Sequence, residues 1–98
     1  MNSRLNNKAA ILYFERIDDK FYEASLTSNS KIKVNYAVVN GFEKDESFIR
    51  VHKNYVVNKQ HIKVAALNFM VVGKSEVPMD FAIRDQVEEI INNSRVII

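Results

Sequence analysis

Polar and apolar positions alternate most strictly from Lys31 to Tyr36, where Ile32, Val34 and Tyr36 share one buried face of an expected strand. Upstream, Phe21 to Thr27 sets Tyr22, Ala24 and Leu26 on one face, and the turn formers Ser28, Asn29 and Ser30 join the two segments as a hairpin. Ala9 to Phe14 is a continuous apolar stretch ended by the charges of Glu15 to Lys20, the pattern of a buried strand running into a loop. Phe48 to Val51, Tyr55 to Val57, His61 to Ala65 and Phe69 to Val72 are short segments rich in β-branched and aromatic residues. The expected fold class is mainly β, a many-stranded antiparallel sheet or sandwich.

Two segments break the period of two. After Pro78, Asp80 suits an N-cap, and Ile83, Val87, Ile90 and Ile91 recur at helical spacing with Arg84, Asp85, Glu88 and Glu89 off the stripe. A C-terminal amphipathic helix lying on the sheet is expected there. Asn35 to Asp45 stays open, because Asn40-Gly41 fits either a hairpin turn or the stop of a short helix. Without repeats, low-complexity tracts or linkers, the chain reads as one domain over residues 1–98, compact from about 8 to 93, with a single small core. Ile97 and Ile98 read as a frayed tail or a small contact.

Composition narrows the chemistry. The 98 residues leave no room for a second domain, and 47% apolar content with six Phe and four Tyr supplies one core. The absence of Cys excludes disulfides, a thiol nucleophile and Cys-ligated zinc, and fits a reducing compartment. Two Gly are too few for a glycine-rich phosphate cradle. Polar residues follow Met1 and no apolar run approaches membrane-spanning length, so a cytoplasmic protein with no membrane partner is expected. No acid lies between Ser47 and Ser75 to orient His52 or His61, and the adjacent pairs Asp18-Asp19 and Glu88-Glu89 diverge on a strand or helix. No enzymatic activity, metal, cofactor or small-molecule substrate is therefore expected.

The net charge of +2 hides an uneven distribution. Residues 1–47 carry seven basic and seven acidic side chains, which cancel. Residues 48–75 carry Arg50, Lys53, Lys59, Lys63 and Lys74 and no acid, whereas residues 76–98 carry a net −3. An anionic partner is expected to meet the middle segment. The plainer reading of the same lysines is a solvated sheet whose edges they guard.

The run Phe48-Ile49-Arg50-Val51-His52-Lys53-Asn54-Tyr55-Val56-Val57-Asn58, followed by His61-Ile62, resembles the signature of the LytTR-type DNA-binding domain. That signature reads roughly Phe-x-Arg-Val-His-Arg-Ser-Tyr-x-Val-Asn, then Ile four residues on. Ile11 to Glu15 looks like the first family strand, Tyr22 to Tyr36 like its hairpin, and Phe42 like the end of its short helix. The resemblance implies an antiparallel β-β-β fold with small helices. It also implies a transcription regulator domain of the bacterial response-regulator output type, whose loops grip double-stranded DNA in successive major grooves, with a second protomer on paired repeats.

Carried over by position, the family's basic residue after the His is Lys53 and its Ser is Asn54, and both keep a phosphate donor. A bulge or loop at Lys53-Asn54 would push both toward solvent. Arg50 belongs to the same signature and basic segment, and His52 and Asn58 read as structural residues of the site. Arg16 and Lys20 lie in the loop after the first strand, another family DNA contact, where Asp18 and Asp19 cancel their charge. The chief departure is Asp80-Phe81, an expected cap and packing residue, where the family has Ser-Arg and the Arg reads a base. Arg84 is left to reach the backbone among Asp85, Glu88 and Glu89. These losses support a second reading, a LytTR-fold interaction or dimerisation module with weak or lost specific DNA binding. No receiver domain fits in 98 residues, so the chain reads as a stand-alone regulator or an excised output domain, and the start at Met1 favours the former.

Overall fold

The computed structural model describes residues 3–94, so Ile97 and Ile98 lie outside the described residues. Two 3-10 turns, Ser3–Asn6 and Lys8–Ala10, lead into β1 (Ile11–Arg16), β2 (Phe21–Leu26), β3 (Lys31–Asn35) and α1 (Tyr36–Glu43). There follow β4 (Phe48–His52), β5 (Tyr55–Asn58), a 3-10 turn (Lys59–His61), β6 (Ile62–Ala65), β7 (Phe69–Val72) and β8 (Ser75–Pro78). A 3-10 turn (Phe81–Ile83) and α2 (Arg84–Ser94) complete the described chain. A five-stranded sheet has the order β3-β2-β1-β5-β4 and a three-stranded sheet the order β6-β7-β8, with every pairing antiparallel.

The apolar run that opens β1 does not bury on one face. A register shift between Ile11 and Tyr13 turns Ile11 and Phe14 to one side of the sheet and Leu12 and Tyr13 to the other. Alternation along β5 does the same, with Val56 on the first side and Tyr55 and Val57 on the second. The expected single core is therefore two clusters, one on each face of the five-stranded sheet. Under α1, Val39 and Phe42 close over Phe14, Tyr22 and Phe48, with ring centroids 5.2 Å apart for Phe14 and Phe42 and 5.0 Å for Phe42 and Phe48. On the other face the three-stranded sheet and α2 pack Met70, Val72, Val77, Val87 and Ile91 against Val51 and Val57. The fully buried side chains among these, such as Phe14, Val39, Met70 and Val87, each contribute about 1.5–3 kcal/mol relative to exposure.

Three local expectations change. Tyr36, assigned to the buried face of a strand, is the first residue of α1 and 48% exposed, because the Asn35 side chain accepts from Ala37 N and caps the helix one residue earlier. Asn40-Gly41 is neither turn nor stop; α1 runs through it to Glu43, held by Val39 and Phe42 in the core. Asp80 is a cap as expected, but of the 3-10 turn Phe81–Ile83, and α2 begins only at Arg84. Val87 and Ile91 are the buried positions of that helix.

Candidate nucleic-acid interface

Because all the strands are antiparallel, the turns gather at two ends of the molecule. At one end the β4–β5 turn, Lys53-Asn54, meets the β1–β2 loop through Asn54 O, which accepts from Arg16 N at 2.8 Å. The start of α1 joins the same end, Tyr36 N donating to Lys20 O at 2.8 Å. The bend after β8 is fixed there by Asp80 N to Val51 O at 2.6 Å, and Met79 N to Asn68 O at 2.9 Å ties in the β6–β7 turn. A cleft lined by His52, Lys53, Asn68, Met79, Asp80 and Phe81 opens between these loops. A second cleft, on the α1 side, is lined by Arg16, Asp19, Tyr36, Glu43, Arg50 and Lys53. Lys53 borders both.

Arg50 organises this end from within. It emerges on the α1 side of β4, and its Nε and Nη2 donate to the two carboxylate oxygens of Glu43, each at 2.9 Å. Nη2 also donates to the Tyr22 hydroxyl at 2.9 Å, and Nη1 to Lys53 O at 2.7 Å and His52 O at 3.4 Å. A guanidinium has five N–H donors, and here each has an acceptor inside the chain. The hydrogen bonds to Glu43 raise the Arg50 pKa further above its ordinary value, against the opposing effect of burial. Arg50 thus clamps the carbonyl of the residue that carries the exposed ammonium.

His52 closes the same turn, its Nδ1 accepting from Asn54 N at 3.2 Å while its ring lies edge-on to Tyr55. Tyr55 donates to Glu15 at 3.0 Å, and burial together with that carboxylate pushes its phenol up to about 12. In the β1–β2 loop, Asp18 Oδ1 accepts from Lys20 N at 2.8 Å and Phe21 N at 3.0 Å, and these backbone donors hold its carboxyl below the usual range. Asn58 lies at the far end of β5 from the turn and is 1% exposed. Its amide donates to Lys8 O at 3.0 Å and Ile11 O at 2.9 Å, and its oxygen accepts from Gln60 N at 3.2 Å.

The other expected contact residues are unequally placed. Lys53 and Lys20 are exposed at the loop end, and neither forms an ion pair among the described residues. Asn54 is half-buried in the turn itself. Arg16 is paired with Asp19 at 2.6 Å and donates to Asp18 O at 3.2 Å. Arg84 donates to Ala66 O at 3.2 Å and pairs with Glu88 at 2.9 Å. The acid-free segment is not one surface: it runs from end to end, leaving Lys59 and Lys74 beside turns at the opposite end from Lys53. Net charge summed along the chain could not reveal this, since folding alone distributes it.

Phe81 is not the packing residue expected. Met79 and Ile83 take the inward positions on either side of it, and Phe81 stands 61% exposed in the cleft wall. Sequence reasoning also passed over Glu43, Tyr22 and Asn68. Nothing in the spacing of Glu43 and Arg50 marks them as partners, because a helix end and a strand bring them together. Among the described residues no group of three or more His, Asp or Glu could hold a metal ion, and no helix is long and apolar enough to cross a membrane.

No curated protein matches the chain at a significant level. The sequence profile of the LytTr DNA-binding domain matches residues 2–80. That span takes in all eight strands, α1 and every turn of the loop end up to Asp80, and leaves only the last 3-10 turn and α2 outside. The match covers most of the chain, and the chain belongs to the LytTr DNA-binding domain family.

Proposed function

We propose that this domain grips duplex DNA with its loop end, using Lys53 and Lys20 as phosphate donors and Asn54 as a further backbone contact. The observation that carries the reading is Lys53 itself: an exposed ammonium at a strand-to-strand turn, without an ion pair among the described residues, whose own carbonyl is clamped by Arg50. A cation held on a rigid turn contributes contact energy without the full entropic cost of ordering a loop on binding. In this reading Arg50 and His52 are positioning residues of the turn, and Asn58 holds the opposite end of β5 to the chain before β1. Arg16 and Arg84 shape the neighbouring loops, their charges already met by Asp19 and Glu88.

The test is a titration of duplex DNA over a salt series. Two to three phosphate contacts give a slope of roughly −2 to −3 for log affinity against log salt, at about −0.9 per phosphate. Lys53→Glu should lower affinity about tenfold or more and flatten the slope, whereas Lys74→Glu, at the opposite end, should change neither. Equal losses from the two variants, or a slope near zero, would reject the loop-end grip. The pairing of all three expected contact arginines, Arg16, Arg50 and Arg84, with acids favours the second reading, a protein-interaction or dimerisation module, and that reading predicts the flat slope.

A further inference from the structure

The cleft between the β4–β5 turn and the bend after β8 has an unusual set of groups left over once internal hydrogen bonds are assigned. His52 Nδ1 is occupied by Asn54 N, and Asp80 Oδ1 by Ala82 N at 3.3 Å. What remains in the lining is the Lys53 ammonium, the Asn68 side-chain amide, His52 Nε2, the second oxygen of the Asp80 cap, Pro78 and the Phe81 ring, which at 61% exposed is the large apolar group of the set. Phe81 is held outward by a cap on one side and by the buried Met79 and partly buried Ile83 that flank it, so its exposure follows from the backbone path and not from a loose side chain.

We propose that this cleft reads an A·T pair in the major groove, with Phe81 against the thymine methyl and the Asn68 amide on adenine; this rests on the loop-end DNA reading above. Each base pair shows a distinct edge in that groove. Thymine is the base that carries an apolar group there, and an aromatic or aliphatic side chain is its natural contact. The adenine edge offers one donor and one acceptor side by side, which an asparagine amide matches with its own acceptor and donor. Guanine presents two acceptors and calls for a guanidinium or an ammonium that can reach both. The cleft contains no arginine, and Lys53 leaves it for the phosphate backbone in the same arrangement. With Asp80 engaged as the cap of the 3-10 turn, an exposed phenyl ring sharing a cleft with an ammonium that has no ion pair among the described residues is thus matched to a partner that is anionic along its rim and apolar at one point on its floor.

The experiment selects binders from two duplex libraries with a randomised core, identical except that uracil replaces thymine in one. Uracil lacks only the 5-methyl group, and burial of one such group accounts for about fourfold in affinity. Wild-type protein should enrich an A·T pair at one position of the thymine library and lose that enrichment about fourfold with uracil. Phe81→Ser should lose the enrichment in the thymine library while keeping the salt-dependent affinity of wild type, and the swap to uracil should then make no difference. Enrichment of G·C at that position, or equal enrichment from both libraries by wild type, overturns the thymine reading and leaves DNA binding standing. Enrichment that needs Phe81 but ignores the methyl would make the ring a wedge between base steps and also overturns it. Retention of no duplex from either library at low salt overturns both readings together.

Discussion

Removing the Glu43 carboxylate charge distinguishes two roles for Arg50. If Arg50 is a phosphate contact held back by an internal acid, Glu43→Gln frees it and DNA affinity rises. If Arg50 positions the Lys53 turn, Glu43→Gln loosens the clamp and affinity falls. The structure sets the size of the effect. Glu43 accepts two charge-assisted hydrogen bonds at 2.9 Å, and both side chains are 29% exposed, so neither the surface-pair nor the deeply buried limit applies. Exposed pairs contribute up to about 1 kcal/mol, and breaking a buried pair costs about 3–5 kcal/mol. An intermediate cost of about 2 kcal/mol follows for Glu43→Gln, or roughly 8–16 °C in unfolding midpoint for a domain of this size. Arg50→Lys should cost a similar amount, because one ammonium cannot serve Glu43, the Tyr22 hydroxyl and the Lys53 carbonyl in three directions at once. The assays are thermal unfolding and duplex titration at fixed salt on the same preparations, with a double variant to isolate the coupling. Tighter DNA binding by Glu43→Gln with an unchanged midpoint would refute the positioning role.

Asn58→Ala should destabilise the domain by about 1–3 kcal/mol in urea unfolding, since it leaves the Lys8 and Ile11 carbonyls and Gln60 N without the amide between them; a loss under about 0.5 kcal/mol would mean that water replaces it fully. The two glycines should respond in opposite directions to alanine. Gly73→Ala should cost about 1–2 kcal/mol, because φ is +61° and a Cβ would lie 3.1 Å from a Leu12 methyl, whereas Gly41→Ala, in the middle of α1 with nothing within 4 Å, should gain about 0.5–1 kcal/mol. Stability should also decline on acidification. Asp45 is lowered from 3.8 to about 2 by its hydrogen bond with Lys8 and the Ser47 N–H, so its contribution is full above about pH 4 and disappears as pH falls through 2; an acid unfolding curve unchanged in Asp45→Asn would contradict this.

Much of the architecture was legible because strand residues report their faces directly. Alternation at Tyr22, Ala24 and Leu26 located a buried face, and the β-branched and aromatic segments from Phe48 to Val72 located four further strands. Asp80 could be read as a cap because capping is a local interaction between a side chain and N–H groups two or three residues away. Tyr36 failed for the same kind of reason in reverse. Its alternation with Val34 was genuine, but the Asn35 cap, a stronger local signal, turned the chain into α1. The β1 run could not show which of its side chains faced which layer, since a bulge between Ile11 and Tyr13 breaks the period of two.

The candidate site divides along the same line. Residue type and order alone located Lys53-Asn54 between two strand segments, identified His52 as a polar residue in an apolar run, and excluded thiol and glycine-cradle chemistry, while the family resemblance singled out Asn58. Those conclusions depend on neighbours within a few positions, where covalent geometry limits the outcomes. Which cations are available depended on contacts across the fold: Glu43 occupies Arg50, Asp19 occupies Arg16, and antiparallel pairing carries Lys59 and Lys74 to the far end. The exposure of Phe81 was decided in the same way, by Met79 and Ile83 taking the inward positions against the second core cluster. Charge and apolarity belong to the residue, but whether either is free for a partner is set by what the rest of the chain brings within about 4 Å of it.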